Sequence, residues 1–291
     1  MEQILILTDF TKKSEHAADF ALRIAERSNS DLILFNAFHL PQVMPATEPL
    51  YPYYEDFSSI KKEESDKLED FAHRLTQKAG LSETGHKPSV SHFNEPGTVG
   101  ENITNILQQN KNIWLIVMGD KKIREDILSR FIFGSDTYTV INMANCPVLL
   151  IPPQTKKLAI KTIVFASNLE KTDYKALRVL AHFATFFKAK IVVTHVYSHT
   201  LSIQEKVDQY ETYMRIAGKV NYPYITYEDF ENKGEGISEA LSKFVSKTKP
   251  DVLAMINKKH PFFERIFHIS ATHKMLDSHQ LPIMVLPSEI H

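Results

Sequence analysis

The chain has 291 residues, enough for two domains of ordinary size. Its composition (43% hydrophobic, 24% charged) and its net charge of -1 are typical of a globular protein and provide no basic surface for nucleic acid or an anionic membrane. The single cysteine, Cys146, excludes a disulfide within the chain and favours a reducing compartment. The start "MEQILILTDF" lacks the features of a signal peptide, and no apolar run approaches the ~20 residues of a membrane span. We therefore expect a cytoplasmic protein with neither a nucleic-acid nor a membrane partner.

Short apolar runs alternate with helical periodicity along the first half of the chain. Runs such as "LILF" and "WLIVM" are apolar throughout, as expected for strands covered on both faces of a parallel sheet. The first helix is predicted to begin at Ser14 and to bury one apolar face. Strands are predicted near residues 4–7, 31–38, 90–93, 113–118 and 148–151, and helices near 14–28, 60–79, 99–110 and 135–143. This alternation predicts a doubly wound α/β fold.

The second half of the chain repeats the first. The segment starting at Ile4 matches the segment starting at Ile163 with a constant offset of 159 residues, and "CPVLLIP" matches "LPIMVLP" at an offset of 135. Between them, "LIVMGD" matches "LAMIN" at 137 or 138. The repeat predicts further strands near 163–166, 191–196, 224–227, 252–256 and 283–286. We expect two copies of one domain, at residues 1–152 and 158–291, with "PPQTKK" as the linker.

A possible phosphate turn follows the "WLIVM" strand, in "GDKKIREDILSRFIFGSDT" from Gly119 to Thr137. Glycines let a main chain approach a phosphate closely, and the N–H groups that begin a helix attract anions. In doubly wound sheets, ligands bind outside the carboxyl ends of the strands, where the strand order reverses. Asp9, Gly119 and the turn at Gly134 are expected to meet there.

These motifs resemble the universal stress protein family in its tandem-domain form, over essentially the whole chain. The resemblance implies two tandem Rossmann-like (adenine nucleotide alpha hydrolase-like) domains, each with a five-stranded parallel sheet. "ILILTDFT" is similar to the family's first strand, whose aspartate, here Asp9, contacts the adenine ring; Ala37 of "LFNA" and Met118 of "VMG" would flank the base. "GSDT" and "CPVLLIP" resemble the phosphate turn and the last strand. The implied nucleotide-binding residues are Thr8, Asp9, Ala37, Met118, Gly119, Lys122, Gly134, Ser135, Asp136 and Thr137.

The resemblance implies that nucleotide-binding members of the family follow a Gly-x2-Gly-x9-Gly-(Ser/Thr) pattern and hold ATP without obvious turnover. This sequence departs from that pattern. Lys122 replaces the second glycine, and Gly134-Ser135 arrives two residues late. A lysine can contact a phosphate as a point charge, whereas Asp136 would repel one. The second copy departs further: Asn168 replaces Asp9, Ile256 replaces Gly119, and "HIS" stands in place of "FGS". We expect the usual nucleotide mode only in the first copy.

Several other features have ordinary explanations beside functional ones. The insert at 39–57 is either a lid beside the site or an irregular loop, and the His- and Phe-rich segment 260–279 lacks the i, i+4 histidine pair of a helical metal site. Cys146 is expected to be a packed thiol rather than a nucleophile. No Gly-x-Ser-x-Gly elbow, P-loop or dinucleotide fingerprint is present in the sequence.

The preferred interpretation is a cytoplasmic stress-response protein, not an enzyme, that binds ATP, with Mg²⁺, or a related adenine nucleotide in its first domain and signals through protein contacts. The last strands, "PVLLIP" and "PIMVLP", are expected to join the two copies within the chain, and a homodimer stays open. One alternative is a structural or interaction protein with both sites degenerate. The other is a slow ATP hydrolase.

Overall fold

The computed structural model describes residues 1–38, 53–119, 135–153, 155, 159–197, 202–231, 237–257 and 281–288. Within the part of the chain that it describes, no helix is both long and apolar enough to cross a bilayer. The His- and Phe-rich segment 260–279 and most of the insert, residues 39–52, lie outside the described residues.

The first domain alternates strands and helices. Its elements are β1 (Gln3–Leu7), α1 (Lys12–Ser28), β2 (Asp31–Phe38), α2 (Tyr53–Lys78), β3 (Val90–Pro96), α3 (Val99–Gln109), β4 (Ile113–Gly119), α4 (Ser135–Met143) and β5 (Val148–Ile151). The second domain follows the same order. Its elements are β6 (Thr162–Ala166), α5 (Asp173–Thr185), β7 (Lys190–Tyr197), α6 (Ile203–Ala217), β8 (Ile225–Glu231), α7 (Ile237–Thr248), β9 (Val252–Asn257) and β10 (Ile283–Pro287).

All ten strands form one sheet in the order β3-β2-β1-β4-β5-β10-β9-β6-β7-β8. Pairing is parallel inside each five-stranded half, while β5 and β10 pair antiparallel through Val148–Val285 and Leu150–Ile283. The predicted parallel α/β domains are therefore confirmed, and the last strands join them as expected. Because β5 ends at Ile151 and β6 begins at Thr162, we keep 1–152 and 158–291 as the proposed domain boundaries.

The duplication is visible in the backbone as well as in the sequence. Phe10 and Leu169 both have φ of 58°, and Asn29 and Lys188 have φ of 54° and 53°. Each pair is separated by the same 159 residues as the repeat, and a non-glycine residue with positive φ is uncommon. The register also decides the ambiguous match of the fourth strand. Met118 is the partner of Leu7 and Met255 that of Ala166, so the fourth strands match at an offset of 137.

Two apolar layers cover the two faces of the sheet. Alternate strand residues enter opposite layers: Ile4 and Ile6 belong to one, Leu5 and Leu7 to the other. The first layer contains buried side chains of α1, α2, α5 and α6, and the second those of α3, α4 and α7. The sheet is therefore buried on both faces, which explains why its central strands are apolar throughout.

Four predicted boundaries differ from the observed ones by two residues or more, and one of them is the end of β3, which lies at Pro96 rather than near residue 93. α1 begins at Lys12 with Thr11 as its N-cap, and Ser14 lies inside the helix with only 4% exposed. Threonine is as suitable a cap as serine, and local pattern alone did not distinguish the two. α2 begins at Tyr53, seven residues before its predicted start, so it extends into the insert. β8 continues to Glu231 because it pairs along its whole length with β7.

Candidate functional site

A cleft opens at the carboxyl ends of β1 and β4, where the strand order of the first domain reverses. This is the position at which doubly wound sheets bind their ligands. The N-terminal ends of α1, α3 and α4 also border the cleft. It is lined by Leu7, Thr8, Asp9, Thr11, Lys13, Ser14, Val99, Met118, Gly119 and Asp136. Five predicted site residues, Thr8, Asp9, Met118, Gly119 and Asp136, thus lie together around one cavity.

The loop between β1 and α1 is fixed by its own side chains. Asp9 Oδ1 accepts hydrogen bonds from the Thr11 hydroxyl (2.6 Å) and the Thr11 backbone N–H (3.2 Å). Thr8 Oγ1 accepts from the backbone N–H of Phe10 (3.1 Å) and donates to Ser14 Oγ (3.0 Å). Asn36 Nδ2, from β2, donates to the Thr8 carbonyl at 2.9 Å. These bonds hold the left-handed turn at Phe10, and they place the exposed Asp9 at the edge of the cleft.

Gly119 allows β4 to end against the first turn of α1. A β-carbon at this position would lie 2.8 Å from the Lys13 carbonyl oxygen and 3.1 Å from the Ser14 backbone nitrogen. Real β-carbons essentially never lie within 3.0 Å of another atom, so the first of these contacts is not tolerated. The backbone of Gly119 is not left-handed, so the glycine is required for space rather than for an unusual φ.

Helix N-termini give the cleft a partly positive main chain, while its side chains are acidic on balance. The unpaired N–H groups and the dipole of a helix N-terminus favour anions. α3 begins at this edge with a complete capping box, formed by its N-cap Thr98 and by Glu101 in its first turn. Among the described lining residues, Lys13 is basic, and Asp9 and Asp136 are acidic. A phosphate would therefore meet helix dipoles together with a net side-chain charge of -1.

The other predicted site residues have different environments. Ala37 is half-buried in β2 and Thr137 is fully buried in α4; neither lines the cavity. Within the described region, the Thr137 hydroxyl has no hydrogen-bond partner. α4 begins at Ser135, whose side chain is not described. Lys122 and Gly134 lie outside the described residues.

Sequence analysis missed five lining residues: Leu7, Thr11, Lys13, Ser14 and Val99. The signal available in the sequence was position: residues that end β1 or begin α1 or α3 must lie at the carboxyl edge of a parallel sheet. Thr11 was treated only as the end of the first-strand motif, Ser14 as a helix start, and Val99 as the first residue of a helix.

The equivalent place in the second domain is filled by side chains. Ser167, the counterpart of Thr8, donates a 2.6 Å hydrogen bond to Asp173 Oδ2, and Asp173, the counterpart of Ser14, is only 1% exposed. His195 replaces Asn36, and its Nδ1 lies 2.8 Å from the Ser167 carbonyl oxygen. α5 begins at Asp173, two residues later in the repeat than α1, and Ile256 takes the position of Gly119. The second cleft thus keeps the loop geometry of the first but not its open main chain.

The described walls of the first cleft contain neither a metal-ligating cluster nor a large cavity. Among the residues that the structure describes, no group of three His, Cys, Asp or Glu side chains could hold a metal ion. The described walls of the first cleft enclose about 40 Å³, which is room for roughly two or three water molecules. A nucleotide would therefore place one of its groups in this cavity and extend beyond these walls.

Comparison with known proteins identifies the family. The sequence model of the universal stress protein family matches residues 1–152. A universal stress protein from Archaeoglobus fulgidus shares the fold over 98% of this chain and 96% of that one, with 12% identity and a TM-score of 0.65. A Pseudomonas aeruginosa protein assigned to the universal stress proteins matches over 99% and 93%, with 14% identity and a TM-score of 0.53. The cytoplasmic domain of a prokaryotic cation chloride cotransporter matches over 98% and 94%, with 9% identity and a TM-score of 0.50.

The likeness of this chain to these solved structures shows the fold alone, since the sequence identities are low and one fold serves many functions. No curated protein sequence matches the chain significantly. The family's own sequence model covers more than half of the chain. The protein therefore belongs to the universal stress protein family.

Proposed function

We propose that the first domain binds an adenine nucleotide, with MgATP as the ligand, and that the protein acts in the cytoplasm by binding rather than by chemistry. The observation that carries this proposal is the meeting of three helix N-termini with Asp9 and Gly119 at the strand-order switch. The single cysteine, which leaves no disulfide to form within the chain, supports a reducing compartment.

The residues fit a magnesium-bound nucleotide better than a free one. We propose that the carboxylate of Asp9, whose Oδ1 accepts from Thr11, accepts a hydrogen bond from the adenine amino group. Met118 lines the cleft beside it and would flank the base. Asp136 stands where α4 meets the ligand, and its carboxylate would repel free phosphates. A bound Mg²⁺ would neutralise that repulsion.

The test is the nucleotide content of the protein. Acid precipitation of protein purified from cells should release close to one adenine nucleotide per chain, and titration of emptied protein should give a binding isotherm for ATP with Mg²⁺ that weakens in EDTA. If the purified protein releases no nucleotide and titration with ATP and Mg²⁺ produces no heat, the proposal is refuted and the interaction function remains. Phosphate release that is abolished by Gly134→Val would instead establish the slow hydrolase.

We further propose that the state of the first domain is passed on through protein contacts, with a second copy of the chain as partner. α6 exposes four large apolar side chains along one face, Ile203, Val207, Tyr210 and Met214. Their 4-3-4 spacing is symmetric, so an antiparallel second α6 would place Ile203 opposite Met214 and Val207 opposite Tyr210. Sedimentation equilibrium should therefore show a dimer that Tyr210→Glu converts to a monomer. A wild-type monomer at all concentrations would refute it.

A further inference from the structure

Helix α4 connects the ligand cleft of the first domain to the second domain. Its first turn carries Asp136 into the lining of the cleft, and its other end lies against β9 and β10. At nine residues the helix is about 13 Å long. In so short a helix, a restraint on the C-terminal turn limits the positions that the N-terminal turn can take.

The C-terminal turn is held by a side chain from the other domain. Asn257, the last residue of β9, donates from Nδ2 to the Ile141 carbonyl oxygen and to Asn142 Oδ1, both at 3.1 Å. The Ile141 carbonyl is one of the last four of α4, which have no partner inside the helix. Asn257 is 5% exposed and Ile141 is 2% exposed, so water is poorly placed to replace these bonds.

Packing also connects α4 to the second domain, through its contact with β10. Val140 and Ile141 belong to an apolar layer that also contains Met255 and Ile283 of the second domain. On its other side, α4 approaches α3 so closely that a β-carbon at Gly100 would clash with the methyl of Thr139. α4 is therefore confined between α3 and the second domain, with the Asn257 bonds as its polar attachment.

We propose that Asn257 is a positioning residue for the first-domain ligand cleft: by holding the C-terminal turn of α4, it sets where Asp136 and the N-terminal N–H groups of the helix face the ligand. The fourth strands of the two domains are related by an offset of 137 residues. With that offset, Asn257 corresponds to residue 120, which follows the end of β4 that borders the cleft. A ligand-edge position of the degenerate domain thus supports the intact cleft of the other. This role in ligand binding rests on the proposed nucleotide function.

The attachment itself can be tested without any ligand. In Asn257→Ala, amide hydrogen exchange in the 136–144 peptide of the full chain should become roughly ten- to thirtyfold faster, the factor expected for losing the two hydrogen bonds that Asn257 donates. Asn257→Asp keeps the shape but removes the donor, so it should be at least as fast. The matched control is Asn94→Ala, which removes a buried asparagine bonded to Ser65 of α2 rather than to α4. It should leave α4 exchange within twofold of wild type.

Any of three results would overturn the attachment: unchanged exchange in Asn257→Ala, wild-type exchange in Asn257→Asp, or an acceleration by Asn94→Ala equal to that of Asn257→Ala. The positioning role needs a second readout, the affinity for ATP with Mg²⁺. Asn257→Ala should weaken it roughly fivefold while Asn94→Ala does not, and ATP should slow α4 exchange more in wild type than in Asn257→Ala. Equal affinities would overturn the positioning role. If the wild-type protein binds no ATP, both the positioning role and the proposed nucleotide function are overturned. The hydrogen-exchange measurement would still decide whether Asn257 attaches α4.

Discussion

Replacing Gly119 with alanine tests the central packing contact of the cleft. The added methyl would lie 2.8 Å from the Lys13 carbonyl oxygen and 2.9 Å from its carbonyl carbon, whereas ordinary contacts of this kind begin at 3.4 Å. One of the two backbones must therefore move by several tenths of an ångström. β4 is a central strand paired to β1 and β5, so we expect α1, with Lys13 and Ser14, to move away from the cleft.

The size of the effect follows from two opposing terms. Overpacking of a well-packed site costs about 1–3 kcal/mol, and the loss of backbone freedom in the unfolded chain returns about 0.4–1 kcal/mol for Gly→Ala. The free energy of unfolding should fall by about 1–2 kcal/mol, which corresponds to a melting temperature roughly 2–8 °C lower. ATP affinity should fall at least several-fold, because the Lys13 turn borders the proposed ligand.

Thermal unfolding and calorimetric titration with ATP and Mg²⁺ measure both effects. Gly80→Ala is the matched control, since its β-carbon would meet no backbone atom and only the Glu26 carboxylate, at 3.2 Å, which accepts from the Gly80 N–H. It should change stability by less than about 0.5 kcal/mol. A Gly119→Ala protein as stable as Gly80→Ala would show that the contact with Lys13 does not constrain this glycine.

Three other predictions concern particular side chains. Asp9→Ala should weaken ATP binding at least several-fold and Asn168→Ala should leave it unchanged in the same titration; equal losses would contradict the asymmetry of the two domains. Burial raises the pKa of the Cys146 thiol to about 12, above the ~8.5 of an unfolded cysteine. The buried thiol therefore contributes to folding stability below pH ~8.5, and this contribution is lost as the pH rises toward 12. Between pH 9.5 and 11, the free energy of unfolding of wild type should fall by about 1.4 kcal/mol per pH unit more than that of Cys146→Ala. Parallel denaturation curves would refute this. Thr98→Ala removes the capping box of α3 and should cost about 0.5–2 kcal/mol in urea unfolding; no loss would mean that the cap is replaced by other groups.

The fold could be predicted because its strongest signals are local and repeated. A strand buried on both faces must be apolar along its length, and "LILF" and "WLIVM" are. The repeat then located the second set of strands without independent evidence for each. Helix starts were less predictable. Thr11 and Ser14 can both cap a helix, and only the structure shows that Thr11 is the cap, with its side chain accepting from the Ser14 N–H.

The site was only partly predictable for the same reason. Asp9 and Gly119 follow strands directly, so topology alone brings them together. Lys13 and Val99 line the cleft through the placement of helix N-termini, which a motif does not record. The bond from Asn257 to Ile141 joins residues 116 positions apart in different domains. A contact of that kind depends on how β5 and β10 pair, and no local pattern contains it.

The two domains differ most in what faces the start of their first helix. In the first, Ser14 is a neutral side chain bonded to Thr8, so the α1 terminus can meet an external anion. In the second, the buried carboxylate of Asp173 accepts from Ser167 and from the Glu170 backbone N–H, at 2.6 and 3.4 Å. In the second domain a buried carboxylate therefore takes the position that the first domain gives to a neutral hydroxyl, and a phosphate approaching the start of α5 would meet that carboxylate.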